Sequence, residues 1–305
     1  MAISKVRARL NGVWTNLTKN ASTGKWSAGL TAPSATSYNQ NGRYYPISVE
    51  VTNDAGTVKL YETTDAKFGE VLKLVVQERV KPVITLVSPS AGAHVANNKQ
   101  PVIFKVTDET GGSGVRLSEV KLKVDSTTVA YNSTGMSYAA ITNGYQFTYT
   151  PQSALSDGSH AITVNAKDND GNAATALTST VVVDTTPPTL SVTDPNNNLK
   201  TNKAALTVRG ATNDATSSPV TVTVKLNGGS AAAVTVGSDG SFSKALTLTE
   251  GTNMITVVAT DGAGKNSTVV RTVVLDTSIP SVTSIVLSKN PASVSESITI
   301  TVEVE

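Results

Sequence analysis

The chain has no cysteine and only two histidines, His94 and His160, so it can build neither a disulfide framework nor most zinc sites. The missing cysteines leave the redox compartment open, because domains of roughly 100 residues bury enough surface to need no staple. Aromatic residues are scarce at 5%, and charged ones amount to only 16%. The formal net charge is +2, which excludes a general electrostatic affinity for nucleic acid or acidic lipid. No stretch approaches the roughly 18 consecutive apolar residues that membrane insertion by a helix requires. No segment repeats its apolar residues at helical spacing. There is no phosphate loop, and the string nearest to a nucleophile elbow, Gly111-Gly112-Ser113-Gly114-Val115, breaks the pattern at its last position. These absences point to a protein that is not an enzyme and binds no organic cofactor.

Thr, Val, Ser, Ala and Asn dominate the composition, a balance that favours half-buried strands joined by polar turns. The clearest stretch is Ile162-Thr163-Val164-Asn165-Ala166-Lys167, which alternates apolar and polar residues as a strand with one buried face must. Asp168-Asn169-Asp170-Gly171 then turns the chain into a second strand, Thr180-Val181-Val182-Val183. The closing Pro187-Pro188 brings no N–H to a ladder and ends the domain. The unit recurs from Ile255 through Asp261-Gly262 to Leu275 and Pro280, and more loosely from Ile47 through Asp54 and Gly56 to Val76 and Pro82. The intervals between these prolines fit the roughly 100 residues of an immunoglobulin-type sandwich. The fold class is therefore all-β: tandem immunoglobulin-like β-sandwich domains, beads on a string. The boundaries fall at residues 1–80, 81–186 and 187–278, with 279–305 opening a fourth, incomplete domain.

The first of these domains is built differently. Val6-Arg7-Ala8-Arg9-Leu10, the tight turn Asn11-Gly12 and the strand from Val13 correspond to Val224-Lys225-Leu226-Asn227-Gly228 in the third domain, and Trp26 to Phe242. The later domains carry strands ahead of that hairpin and the first has none, so its sheet keeps an open edge that a partner can cover by strand addition. Residues 31–43 and 62–70 are extra material that can cover the edge from within. Half of the chain's aromatics lie in this domain, and Trp14, Trp26, Tyr38, Tyr44 and Tyr45 are the candidates for a partner interface, with the core as their other reading.

Asp168-Asn169-Asp170-Gly171-Asn172 places hard oxygen donors at alternating positions like the start of a calcium loop, but Leu177 stands where an EF-hand carries its glutamate. Asp168, Asp170 and Asp184, at the domain junction, are the candidate Ca2+ ligands, weighed against a simple Asx-type hairpin turn. His160 occupies the place of Asn253 in the third domain and reads as a corner residue of the fold. Met1-Ala2-Ile3-Ser4-Lys5-Val6 enters a strand directly, with no charged n-region or apolar h-region, so synthesis without a signal peptide is expected.

Val183-Asp184-Thr185-Thr186-Pro187-Pro188 and Asp157-Gly158-Ser159-His160-Ala161-Ile162 resemble bacterial immunoglobulin-like repeat domains, a resemblance that covers about residues 82–305. The opening, from Val6-Arg7-Ala8-Arg9-Leu10-Asn11-Gly12 through Ser22-Thr23-Gly24-Lys25-Trp26 to Tyr44-Tyr45-Pro46-Ile47, resembles amino-terminal domains of immunoglobulin-like proteins in tail and baseplate clusters of bacteriophages and phage-like particles of Gram-positive bacteria. That resemblance implies a virion structural protein docked by residues 1–80 to other tail or baseplate proteins in a symmetric, homo-oligomeric assembly. The later domains would project outward as a spacer or host-surface-binding arm, with a bacterial surface glycan as one ligand class. The alternative is a bacterial surface adhesin or the carbohydrate-binding accessory region of a secreted enzyme.

Overall fold

The computed structural model describes residues 2–305, and the chain forms two compact units, Met1–Val183 and Asp184–Glu305. The first unit opens with one antiparallel sheet in the order Val13–Asn16, Ile3–Leu10, Tyr45–Asn53, Val58–Tyr61, and Lys73–Leu74 pairs with the start of Tyr45–Asn53. Asn11 and Gly12 both take positive φ, 49° and 82°, the pair of angles that joins two right-twisted strands through two residues. Alternation sends Val6, Ala8 and Leu10 to the buried face and Arg7, Arg9 and Glu50 to the other. Both lateral edges are four-residue strands, short enough to offer little template for pairing.

The extra residues 31–43 serve two surfaces. Residues 29–33 lie beside Leu10, Val13 and Thr15 at one edge of the sheet. Further along, Thr36 Oγ1 donates to Asp170 Oδ2 at 2.6 Å and Asn39 Nδ2 to the Gly112 carbonyl at 2.7 Å. The Glu78 N–H also bonds Asp170 Oδ2, at 3.0 Å, and Asn172 Nδ2 bonds the Glu78 carbonyl at 3.1 Å. The opening sheet is therefore fastened to the sandwich that follows it by the side chains of Thr36, Asn39 and Asn172 and the Glu78 N–H.

That sandwich packs a sheet of Met136–Ile141, Gly144–Tyr149, Val102–Thr107 and Val83–Ser88 against one of Thr127–Ala130, Lys121–Val124, Gly158–Asn165, Leu177–Val183 and Ala93–Val95. The chain crosses between the two sheets after Pro89, where a ladder donor is missing, and Ala93–Val95 pairs parallel to Leu177–Val183. The second unit repeats the plan. Thr189–Asp194, Ala205–Asn213 and Ser241–Thr247 face Leu199–Thr201, Asn266–Leu275, Gly251–Thr260, Thr221–Leu226 and Ala232–Val234, again with a parallel pair, Leu199–Thr201 on Asn266–Leu275. Inward residues alternate along each strand, as Val102, Phe104 and Val106 do in one and Ile255, Val257 and Ala259 in the other. The first core centres on Phe104 and Phe147, stacked at 5.0 Å with 10° between their planes, and the second is chiefly aliphatic around Val208, Val222, Val257 and Val273. Among the described residues the strand pair Val282–Leu287 and Ile300–Val304 has no facing layer, and Ile285, Ile300 and Val304 stay exposed.

Candidate functional site

At one end of each sandwich three loops bring acidic side chains together: the segment entering the first strand, the turn after Val102–Thr107 or Ala205–Asn213, and the turn after Gly158–Asn165 or Gly251–Thr260. In the first sandwich they supply Glu78, Asp108 and Asp168, and in the second Asp184, Asp214 and Asp261. Within each trio one carboxylate oxygen per residue lies within 4.8 Å of the others. Asp184 is 0%, Asp261 6% and Asp214 8% exposed.

Local turn chemistry accounts for half of these oxygens. Asp184 Oδ1 accepts from the Thr186 N–H at 3.0 Å, Asp214 Oδ1 from the Thr216 and Ser217 N–H groups at 2.8 Å, and Asp261 Oδ1 from Ala263 and Lys265 at 2.9 Å. Each acid thus caps its own turn. The second oxygens of Asp184 and Asp261 are buried and have no hydrogen-bond partner. In the first sandwich Asp168 is fully engaged by Gly171, Asn172 and the Asn172 side chain, and Asp108 Oδ2 accepts from the Gly114 N–H at 2.7 Å, leaving Asp108 Oδ1 buried and unpaired. Among the described residues no Lys or Arg forms an ion pair with any of the six. Burial, together with a bond to and the charge of the adjacent Asp108, pushes the Glu109 carboxyl up to about 7. Burial likewise raises the Glu78 carboxyl, against a lowering bond from Ser113.

The expected calcium set of Asp168, Asp170 and Asp184 is not what the structure assembles. Asp168 and Asp184 belong to different trios, and Asp170 turns away to bind Thr36 and the Glu78 N–H. Glu78, Asp108, Asp214 and Asp261 were not among the candidates. Superimposing residues 81–186 on 187–278 by their strands puts Asp108 on Asp214 and Asp168 on Asp261, and that alignment was the available signal.

The five aromatic candidates lie apart. Trp14 is half-buried under Arg7 and Arg9, whose guanidinium carbons stand 4.4 and 5.2 Å from its ring centre. Trp26 is half-buried on a two-residue strand beside Lys19. Arg43 stacks on Tyr38 at 4.3 Å and Lys73 lies 5.4 Å from Tyr44. Tyr45 is buried, and its hydroxyl donates to the Ala35 carbonyl at 3.2 Å, so it is a core residue and not a surface one.

His160 closes the corner where Lys121–Val124 meets Gly158–Asn165. Its Nδ1 lies 2.7 Å from Asp125 Oδ2 and its Nε2 2.8 Å from the Ser156 carbonyl. Burial pulls the imidazole pKa down, but the Asp125 bond, the Ser156 carbonyl and the Asp125 charge together outweigh it and leave it raised. For Asp125 burial pushes upward and the bonds from His160 and the Ala161 N–H prevail, leaving it lowered. The histidine's contribution is therefore complete below about pH 6.5, its unfolded value, and is lost as pH rises through the raised folded value. Asp125 contributes above about pH 3.9 and loses its share as pH falls through its lowered value. His160→Asn, which copies the second sandwich, should flatten the alkaline decline in the melting temperature of residues 1–183 followed by circular dichroism between pH 6 and 9; equal slopes in variant and wild type would refute the assignment.

Residues 94–185 match the family model of a bacterial Ig-like domain, and residues 188–277 match that of glucodextranase, domain B. Bacillopeptidase F of Bacillus subtilis (strain 168) is 36% identical over 114 residues, which are 37% of this chain and 7% of that protein. Among solved structures, the fibronectin(III)-like modules of CbhA from Clostridium thermocellum cover 63% of this chain and 93% of their own at 18% identity, with a TM-score of 0.38. The FN1–FN3 domains of chicken CNTN1 cover 88% of this chain and 91% of their own at 10% identity, with a TM-score of 0.33. The fold assignment rests on the sheet order of the chain itself: it carries tandem immunoglobulin-like β-sandwiches, with a bacterial Ig-like match in the first and a glucodextranase domain B match in the second.

Proposed function

We propose that the chain is a non-catalytic, modular arm: an accessory or adhesin-like region that holds a working part of a longer bacterial protein at a distance from its anchor, outside the cell. The observation that carries this reading is the 114-residue match to bacillopeptidase F, in which the shared segment is a small fraction of a much longer protein. The acids and turns described above cap loops and fasten segments to one another. An insoluble bacterial glycan is the ligand class such an arm would meet first.

A second reading is a tail or baseplate component of a phage-like particle, docked in symmetric copies through residues 1–80. It is favoured by the opening segment, whose sheet ends in two short edge strands, Val13–Asn16 and Val58–Tyr61. Immunogold electron microscopy of producing cultures separates the two. Label on cell surfaces and on particle-free secreted material is the expected result, and label at a fixed position on purified particles, lost when residues 1–80 are deleted, would overturn it.

A further inference from the structure

We infer that each sandwich holds a calcium ion, bound by Glu78, Asp108 and Asp168 in the first and by Asp184, Asp214 and Asp261 in the second. The inference goes beyond the proposed role and holds whatever larger protein the arm serves. Three carboxylates brought within 4.8 Å of one another repel strongly unless a positive charge or shared protons compensate them. In the second sandwich that compensation does not come from the described residues, among which no cationic side chain pairs with the trio, and all three acids are more than nine-tenths buried. Turn capping explains Oδ1 of each aspartate and leaves Oδ2 of Asp184 and Asp261 buried without a partner. A buried acceptor left unpaired is costly, so two in one cluster mark a place built for a donor or a cation. The first sandwich repeats the pattern, with Asp108 Oδ1 unpaired beside Glu78 and Asp168.

The repetition is itself an argument. The linker acid is a glutamate in one copy and an aspartate in the other, and the turn after the third strand reads Thr107-Asp108-Glu109-Thr110 in one and Asn213-Asp214-Ala215-Thr216 in the other. Different local sequences deliver carboxylates from the same three loops to the same end of the sandwich. An all-oxygen, all-carboxylate set selects a hard cation over zinc or copper. Oxygens that share one calcium at 2.3–2.6 Å can stand up to about 5 Å apart, whereas magnesium at 2.0–2.1 Å holds them within about 4.2 Å and prefers to keep its waters. Oxygens that all lie within 4.8 Å of one another fit inside the calcium limit, and the reluctance of magnesium to give up its waters favours calcium in a buried trio, with water and loop carbonyls completing its sphere.

The test uses the full chain stripped with chelator, titrated with CaCl2 and MgCl2 by isothermal calorimetry and melted with and without 10 mM calcium. We expect two calcium ions per chain with Kd near 10⁻⁴ M, and a rise of about 10 °C in the melting of both units. Asp184→Asn and Asp261→Asn keep the Oδ1 acceptor that caps each turn, so each should fold, bind one ion in place of two, and cancel the rise in residues 184–305 alone. In chelator both variants should melt at or above the wild type, because a buried charge has gone; a purely structural carboxylate would give a loss under both conditions. Asp108→Asn should do the same for residues 1–183. Absence of calcium uptake, melting that ignores calcium, variants that still bind two ions, or magnesium binding as tightly as calcium would each overturn the assignment.

Discussion

Phe104→Ala is expected to lower the unfolding free energy of residues 1–183 by about 3–5 kcal/mol, a large part of the margin of any domain. Phe104 and Phe147 are both fully buried, and their stacked rings bridge the middle strands of one sheet. Truncation removes the largest buried group in a core whose other members are mostly valines, and valines, stiff at χ1, cannot reach across to fill the void. Tyr138 continues the same aromatic row, 5.7 Å from Phe147, but is 44% exposed, so Tyr138→Ala should cost only about 1 kcal/mol and serves as a control. Urea denaturation offers two readouts. Trp14 and Trp26, the only tryptophans, sit in the opening sheet, whereas far-UV circular dichroism reports all strands. If the bonds from Thr36, Asn39 and Glu78 make the sheet and the sandwich one cooperative unit, the fluorescence midpoint moves with the Phe104 substitution. A fluorescence midpoint that stays in place while the dichroism shifts would show the sheet unfolding by itself.

The sandwiches were legible because their information is local and periodic. Ile255, Val257 and Ala259 recur at every second position of Gly251–Thr260, Asp261-Gly262 marks the turn into Asn266–Leu275, and the copy at residues 158–183 repeats the pattern. What joins the opening sheet to its neighbour was not legible. A threonine, an asparagine and a backbone N–H meet acceptors as far as 134 residues away, and nothing in Thr36 or Asn39 announces a distant partner. The acid trios failed for a related reason. Asp168 and Asp184 are near in sequence and looked like one site, but a strand separates them, and strands carry their two ends to opposite ends of a sandwich. The companions of each come from turns some 30 to 90 residues apart, visible only when one repeat is laid on the other. Aromatic content misled in the same way: Tyr45 reads like an exposed tyrosine beside Tyr44, yet alternation turns one inward and leaves the other half-buried under Lys73.

Asn253→Ala should destabilise residues 184–305 by about 3 kcal/mol and lower their melting point by more than about 10 °C, independently of pH. Asn253 is fully buried, and its amide ties a whole corner: Oδ1 accepts from the Thr249 N–H at 3.0 Å and from Asn227 Nδ2 at 3.2 Å, while Nδ2 donates to the carbonyls of Thr249 and Gly251 at 2.7 and 3.0 Å. Alanine removes the one side chain that pairs these groups with each other. The register places Tyr45, His160 and Asn253 at one position of the fold, two residues before Ile47, Ile162 and Ile255, which face Leu10, Val124 and Leu226. Asn11, Asp125 and Asn227 follow those last three, all with positive φ, so the same corner is built three times with three different plugs. A phenol bonds one carbonyl, an imidazole bridges a carboxylate and a carbonyl, and an amide satisfies both donors and acceptors without ionising. The comparison fixes the expected contrast, measured by thermal melts of both variants across pH: the cost of Asn253→Ala stays constant from pH 5 to 9, while that of His160→Ala falls as the histidine loses its proton. A pH-dependent cost at Asn253 would mean that the corner depends on an ionisable neighbour and not on the amide.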